Sequence, residues 1–334
     1  MDNKNLLLDV MVAGTLGDAY GYPVEFLQWD VIQKRYGPNG VRELLNNPDR
    51  PVATDDTQMT LFVMESIINA YKASNNPTVE LFTEEARKSF LRWLETQSQQ
   101  PIDGMFADAE ELFVQRAPGN TCISSLLQRR GAESRGEELP DPINTSKGCG
   151  VVMRSAPYAF LSQYTSNEVW SIAQQSGAIT HGHVEGPGSG AALAYMMHHQ
   201  LSGLTFDSSI RLAIGKATEE HAINTAALLQ TALALGQYPW HMTPDDMCDK
   251  LGEGWTGESA LAIGVYATLR SQSVIEAIQL GTNHRGDSDS TAMIAGQLAV
   301  LKFSGVDSEV VELFNRVDLA KVVGTTVTEL QKYL

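Results

Sequence analysis

Two short acidic turns, each at the head of an apolar helical pattern and separated by most of the chain, constrain the fold more than any other feature. The first is Thr54-Asp55-Asp56-Thr57, followed by Leu61, Met64, Ile68 and Tyr71 at i, i+3, i+7 and i+10. That spacing makes an amphipathic helix whose first turn can face the core. The second is Asn283-His284-Arg285-Gly286-Asp287-Ser288-Asp289-Ser290-Thr291. Ala292, Ala295, Gly296 and Ala299 follow at three- and four-residue spacing, a small-residue face that lets a neighbouring backbone approach and predicts a buried helix N-terminus. One carboxylate at such a terminus is an ordinary cap, but two buried side by side repel unless a proton or cation sits between them. Brought together, Asp55, Asp56, Asp287 and Asp289 carry a formal charge of about −4, which two hard divalent ions with oxygen ligands would neutralise. Each turn alone also fits a cap and a bend; the pair is read as a two-metal site.

The 334 residues are 43% hydrophobic and 19% charged, enough for a large core in one large domain or two ordinary ones. No uninterrupted apolar run reaches the roughly 18 residues of a membrane helix, and Met1-Asp2-Asn3-Lys4-Asn5 has no secretory character, so a soluble cytoplasmic protein is expected. Cys122, Cys149 and Cys248 are widely spaced and fit neither a disulfide framework nor a zinc pattern. A net charge of −16 argues against nucleic-acid and anionic-membrane partners.

Residues 6–20 read as a tightly packed core helix with Ala13, Gly14, Gly17 and Ala19, ending near Gly21-Tyr22-Pro23. Just beyond, Glu25 stands between Val24 and Phe26. Burial there would raise its pKa and suit it to proton transfer, although a surface glutamate after a turn also fits. Val31 to Arg50 reads as loop. Helices are expected near 56–74 and 79–97, and a short one after the turn Ala117 to Thr121, ending at Gly131. Ala132 to Pro142 reads as exposed loop. Asn144 to Gly150 is a glycine-rich turn with Lys147, where backbone N–H groups could converge on an anion such as a diphosphate, or simply a connection. Arg154, in an apolar context, would need an acidic partner or a phosphate. His181 follows a helix near 167–177 and could bond a ligand, though a lone histidine is commonly structural; His198 and His199 are expected to face solvent. Further helices are expected from Gly188 and near 208–219, 221–236, 243–251, 259–271, 273–280 and 307–317. Helical patterns dominate and alternating strand patterns are nearly absent, so the fold class is all-α. With no linker between the two acidic turns, residues 1–334 read as one domain.

These features together resemble the ADP-ribosylglycohydrolase family. The resemblance rests on Gly14 to Glu25 (GTLGDAYGYPVE), Thr54 to Thr57, Ser146 to Pro157 (SKGCGVVMRSAP), Thr180-His181, Gly254-Trp255 with Glu258, and Asn283 to Thr291, in the family's order. It implies a compact orthogonal bundle of helices holding two Mg²⁺ or Mn²⁺ ions, with Thr54, Asp55, Asp56, Asp287, Asp289 and Ser290 as ligands and Asp55 and Asp287 essential to catalysis. Glu25 matches an acid implicated in catalysis in part of the family. Ser146, Lys147, Gly148 and Gly150 would line the ribose and diphosphate, with His181, Gly119 and Asn120 in the same pocket. Three positions depart from the family pattern: Ser290 where threonine is usual, Cys149 where many members have asparagine, and Arg285 where many have glycine. Arg285 is expected to contact the ADP-ribose, pair with a leaving carboxylate or repel metal.

The activity implied is hydrolysis of the bond from C1″ of ADP-ribose to a modified protein, in the first place at arginine. ADP-ribosyl-serine and O-acetyl-ADP-ribose are alternative substrates. Two other roles fit the resemblance: an immunity protein that neutralises an ADP-ribosylating toxin by reversing its modification or binding it, and a fold retained for binding without turnover.

Overall fold

Every side chain from Ser288 to Val300 is buried, so the helix that carries them has no solvent face and must be wrapped by other helices. The computed structural model describes residues 3–42, 51–238 and 242–334. In chain order its helices are α1 (Asn3–Gly21), α2 (Trp29–Tyr36), α3 (Asp55–Ala73), α4 (Val79–Thr96) and α5 (Asn120–Glu133). After them come α6 (Ser166–Ala178), α7 (Glu185–Leu201), α8 (Phe206–Glu219), α9 (Ile223–Gly236) and α10 (Pro244–Leu251). The last five are α11 (Gly257–Arg270), α12 (Val274–Thr282), α13 (Ser288–Phe303), α14 (Ser308–Phe314) and α15 (Ala320–Leu330). Among the described residues there is no strand, only an isolated bridge between Gly148 and Thr256. The fold is all-α.

α13 is wrapped by α1, α11 and α12. Its contact with α1 is backbone against backbone, because glycines remove the side chains that would hold the helices apart. A Cβ on Gly17 would lie 2.3 Å from the Ala292 carbonyl oxygen, one on Gly21 2.2 Å from that of Ser288, and one on Gly296 2.5 Å from that of Ala13. As α1 runs from 13 to 21 its neighbours on α13 run from 296 to 288, so the two are antiparallel. The small-residue periodicity of both segments therefore sets the C-terminal end of α1, and Glu25 just beyond it, beside the first turn of α13. α3 packs on α4 and α15 and buries Leu61, Phe62, Ile67 and Ile68 completely; each such side chain contributes about 1.5–3 kcal/mol of hydrophobic stabilisation.

Three expectations fail here. Part of the segment read as loop from Val31 is helix α2, whose single buried side chain is Ile32; residues 43–50 of that loop lie outside the described residues. The chain also forms α15 beyond the last helix expected, burying Val322, Val323, Thr326, Val327 and Leu330. His198 is buried, with Nδ1 2.9 Å from the Ala159 carbonyl oxygen, rather than solvent-facing.

Candidate metal centre

The turn ahead of α3 is fixed by groups that the acids themselves do not supply. Asp18, fully buried on α1, accepts the Thr54 N–H at 2.9 Å on both carboxylate oxygens, the Thr57 N–H at 3.2 Å and the Thr57 hydroxyl at 2.5 Å. Thr54 Oγ1 in turn accepts the Asp56 N–H at 3.2 Å as the helix cap. Asp55 donates its N–H to the Arg116 carbonyl at 2.8 Å, and its Oδ2 accepts the Gly119 N–H at 3.1 Å. Arg116 is locked in place by Asp318 at 2.5 Å and by the Ala53 carbonyl at 2.9 Å. Sequence reasoning assigned no role to Asp18. The signal is an acid between Gly17 and Ala19, on the small-residue stretch that packs against α13.

The turn ahead of α13 is shaped from outside as well, by the loop before α11. Gly286 has φ +119°, open to glycine and strained for other residues, and a Cβ there would meet the Glu253 carbonyl oxygen at 2.1 Å. Asp287 donates its N–H to that same carbonyl at 2.9 Å. The two acidic turns meet: the Ser290 hydroxyl donates to Asp56 Oδ2 at 2.8 Å, although the residues are 234 apart in sequence.

Glu25, Asp55, Asp56, Asp287, Asp289 and Ser290 all line one cavity of about 320 Å³. Carboxylate oxygens of Glu25, Asp287 and Asp289 lie within 4.8 Å of one another. Burial, then the neighbouring acids, push these groups upward: Glu25 to about 9, driven by desolvation and by Asp289, Asp55 and Asp18, and Asp18 to about 7, driven by desolvation and by Asp289. Asp55, Asp56 and Asp287 are raised well above the usual carboxylate range, with desolvation the largest cause for each, and Asp289 is raised by desolvation too. Asp287 Oδ2 is buried without a hydrogen-bond partner, a costly arrangement that a cation would relieve. An oxygen-only set, crowded with like charge and holding an orphaned carboxylate oxygen, fits a hard divalent cation. Thr54 is buried beside this set, its hydroxyl occupied as the helix cap.

Three of the glycines expected to line the sugar and diphosphate border the same cavity. Gly119, Asn120, Gly148 and Gly150 line it, as does His181. A Cβ on Gly150 would lie 2.9 Å from His181 Cε1, so the imidazole is pressed against this turn. Burial and then Arg154 lower His181 to about 3, leaving it neutral, and its Nδ1 lies 2.9 Å from Thr180 Oγ1. Arg154 does not find the carboxylate or phosphate expected for it. Its guanidinium donates to Thr180 Oγ1 at 2.7 Å, lies 3.2 Å from Met59 Sδ and stacks 4.3 Å over the Phe90 ring. Cys149 lines the cavity as a thiol, held well above its ordinary pKa by burial and by the carboxylates of Asp287 and Asp56.

Three expected ligand contacts stand elsewhere. Arg285 is directed away from the cavity, clamped by Glu253 at 2.8 Å, Asp245 at 2.7 Å and Asp249 at 2.6 Å. It fastens α10 and the loop after it to the second acidic turn, and it does not line the cavity. Lys147 is held by the buried Glu258 at 2.5 Å and does not line the cavity. The Ser146 hydroxyl is spent on Thr121 Oγ1 at 3.1 Å and the Gly148 N–H at 3.3 Å, shaping the turn rather than lining the cavity. Two aromatic residues that the sequence left without a role, Phe26 and Trp255, do line it.

The all-α fold joins two acidic helix heads over a glycine-bordered cavity, and the comparisons with known proteins give its family. The family model for ADP-ribosylglycohydrolase matches residues 2–329. A protein of Archaeoglobus fulgidus, described only as uncharacterized, is 24% identical over 300 residues, covering 88% of this chain and 85% of its own length. A solved structure described as an ADP-ribosylglycohydrolase-related protein complex superposes with a TM-score of 0.64 at 18% identity, covering 99% of both chains. The chain belongs to the ADP-ribosylglycohydrolase family, a family of glycosidic hydrolases.

Among the described residues no helix is long and apolar enough to cross a membrane.

Proposed function

We propose that the protein hydrolyses the bond between C1″ of ADP-ribose and an arginine side chain of a modified protein, using two Mg²⁺ or Mn²⁺ ions. The observation that carries this reading is the convergence of Asp55, Asp56, Asp287, Asp289 and Ser290 with Glu25 on a single cavity. These side chains, with Thr54, would hold the ions. Held there, the ions would orient the ribose hydroxyls and supply a Lewis acid that acidifies a water.

The chain's own residues supply the rest. Gly119, Asn120, Gly148 and Gly150 present backbone and small side chains to the sugar and diphosphate, leaving room that larger residues would fill. Neutral His181 adds a hydrogen-bonding nitrogen without adding charge. Glu25, in its protonated form, gives a proton from its carboxyl oxygen to the departing guanidino nitrogen as the C1″–N bond breaks. The resulting carboxylate takes a proton from the water that forms the new C1″–O bond, which returns Glu25 to its starting state.

The test is incubation with Mg²⁺ and arginine-ADP-ribosylated protein, with serine-linked and O-acetyl substrates in parallel. Release of ADP-ribose from the arginine-linked substrate, lost in Asp55→Ala and Asp287→Ala, is the expected result. No release, with both variants indistinguishable from wild type, would overturn the proposal; release from the serine or ester substrate alone would move the leaving group.

A further inference from the structure

Next to Glu25 the backbone does something the acidic site does not need. Phe26 sits at φ +65°, in the left-handed region that aromatic residues seldom enter, and its N–H is tied to the Gly286 carbonyl at 3.2 Å. The side chain so placed is 69% exposed. It stacks on Trp255, itself 37% exposed, with ring centroids 4.8 Å apart and planes 24° from parallel. Trp255 is aimed by the contact that shapes the second acidic turn, because Gly254 at φ +86° presses against Asp287 Cβ and Thr291 Cγ2. Strain and apolar exposure are both costs, and nothing in the core recovers them, since the two rings pack on each other at the edge of the cavity.

Position gives the stack a use. Glu25 points inward, its carboxyl among Asp287 and Asp289, while the next residue is on the rim. A group leaving from the proton donor therefore departs along the Phe26–Trp255 rings. Among the described residues lining this cavity there is no lysine or arginine, so a cation there meets no like charge, and the chain carries −16 overall. A planar guanidinium stacks well on aromatic faces, tryptophan best of all, while a serine hydroxyl or an acetate gains nothing from them. We propose that the Phe26–Trp255 stack is the platform that receives the guanidinium of the arginine being released, and so sets the preference for arginine as leaving group. This rests on the hydrolase reading above but is separable from it by binding.

The binding arm uses Mg²⁺-loaded protein and arginine amide, with citrulline amide as its uncharged isostere. The probe is the tryptophan indole N–H resonance that disappears in Trp255→Phe. Arginine amide is expected to shift that resonance saturably, citrulline amide is not, and Phe26→Ala is expected to weaken the response. Equal responses to the two amides, or none to arginine amide, would overturn the platform. The kinetic arm uses ADP-ribosyl-arginine: Trp255→Ala is expected to raise KM about 3- to 30-fold with little change in kcat, and Trp255→Phe to recover most of the loss. A fall in kcat at unchanged KM would contradict a leaving-group platform. Intact arginine-amide binding in a protein that turns over no ADP-ribosyl substrate would strike the hydrolase reading and leave the platform standing.

Discussion

The two acidic turns are built to different degrees of completion, and the difference shows where a cation is needed. The Thr54–Asp56 turn is over-determined by protein groups: Asp18 gathers three of its donors, Arg116 and Gly119 fix Asp55, and Thr54 caps Asp56. The Asp287–Ser290 turn has its backbone set by Glu253 and Gly286, but its carboxylates are poorly served. Asp289 Oδ1 accepts its neighbour's N–H at 3.0 Å, and Asp287 Oδ2 has no partner. One turn is a rigid half-site and the other a charged half-site whose side chains a dication would complete.

Removing the proton carrier shared by both halves is expected to have the largest effect. Glu25→Gln keeps shape and hydrogen bonding but cannot release a proton, so kcat should fall about 10²- to 10⁴-fold while metal affinity changes little. Equal losses in metal affinity and kcat would place Glu25 among the ligands instead. Next in size is Asp18→Asn, which puts an N–H₂ donor in place of one of the two oxygens that orient the rigid turn, without touching the cavity. A loss of about 10- to 100-fold in metal affinity is expected, measured by calorimetric titration with Mn²⁺. An unchanged affinity would show that the first turn holds its shape unaided.

The third effect is on stability, through pH. Folded-state values of about 7 for Asp18 and about 9 for Glu25 lie above their unfolded values, so the folded protein holds extra protons. Their stabilising contribution is full below about pH 4 and is lost as pH rises toward 7 and then 9. In EDTA the Tm should therefore fall across that range, and saturating Mg²⁺ should flatten the decline by neutralising the same carboxylates. A Tm in EDTA that rises between pH 5 and 9 would mean the acids are not crowded as described. The smallest effect is Ser290→Thr, which keeps the hydroxyl bonded to Asp56 and adds one methyl. A change within about 1 kcal/mol in stability and little change in activity is expected; Ser290→Ala should cost more, about 0.5–1.5 kcal/mol for the lost bond.

Much of this was legible from residue patterns because the patterns are repeated. Small residues at helical spacing on both α1 and α13 announce a close antiparallel contact, and acids in pairs at two helix heads announce a shared charge problem. Single-residue features were less legible. Asp18 is one of two acids on α1, and nothing local says that it faces Thr54 and Thr57 rather than a lysine. Arg285 read as a ligand contact because it adjoins Asp287, yet it turns outward to three acids supplied by α10 and the following loop, and no local pattern gives that direction. α2 is hard to see in the sequence because it is short and largely polar; one buried side chain, Ile32, makes too weak a period. Phe26 and Trp255 are far apart in sequence, so their stacking is a property of the fold alone.

The measurement closest to the core of this reading is the stoichiometry of Mn²⁺ binding, by equilibrium dialysis and electron paramagnetic resonance, in wild type, Asp55→Ala and Asp287→Ala. Two ions per chain with a spin-coupled signal, lost when either aspartate is removed, is the expected result. Binding that survives both substitutions unchanged, or its absence in wild type, would contradict a metal centre formed where the two acidic turns meet.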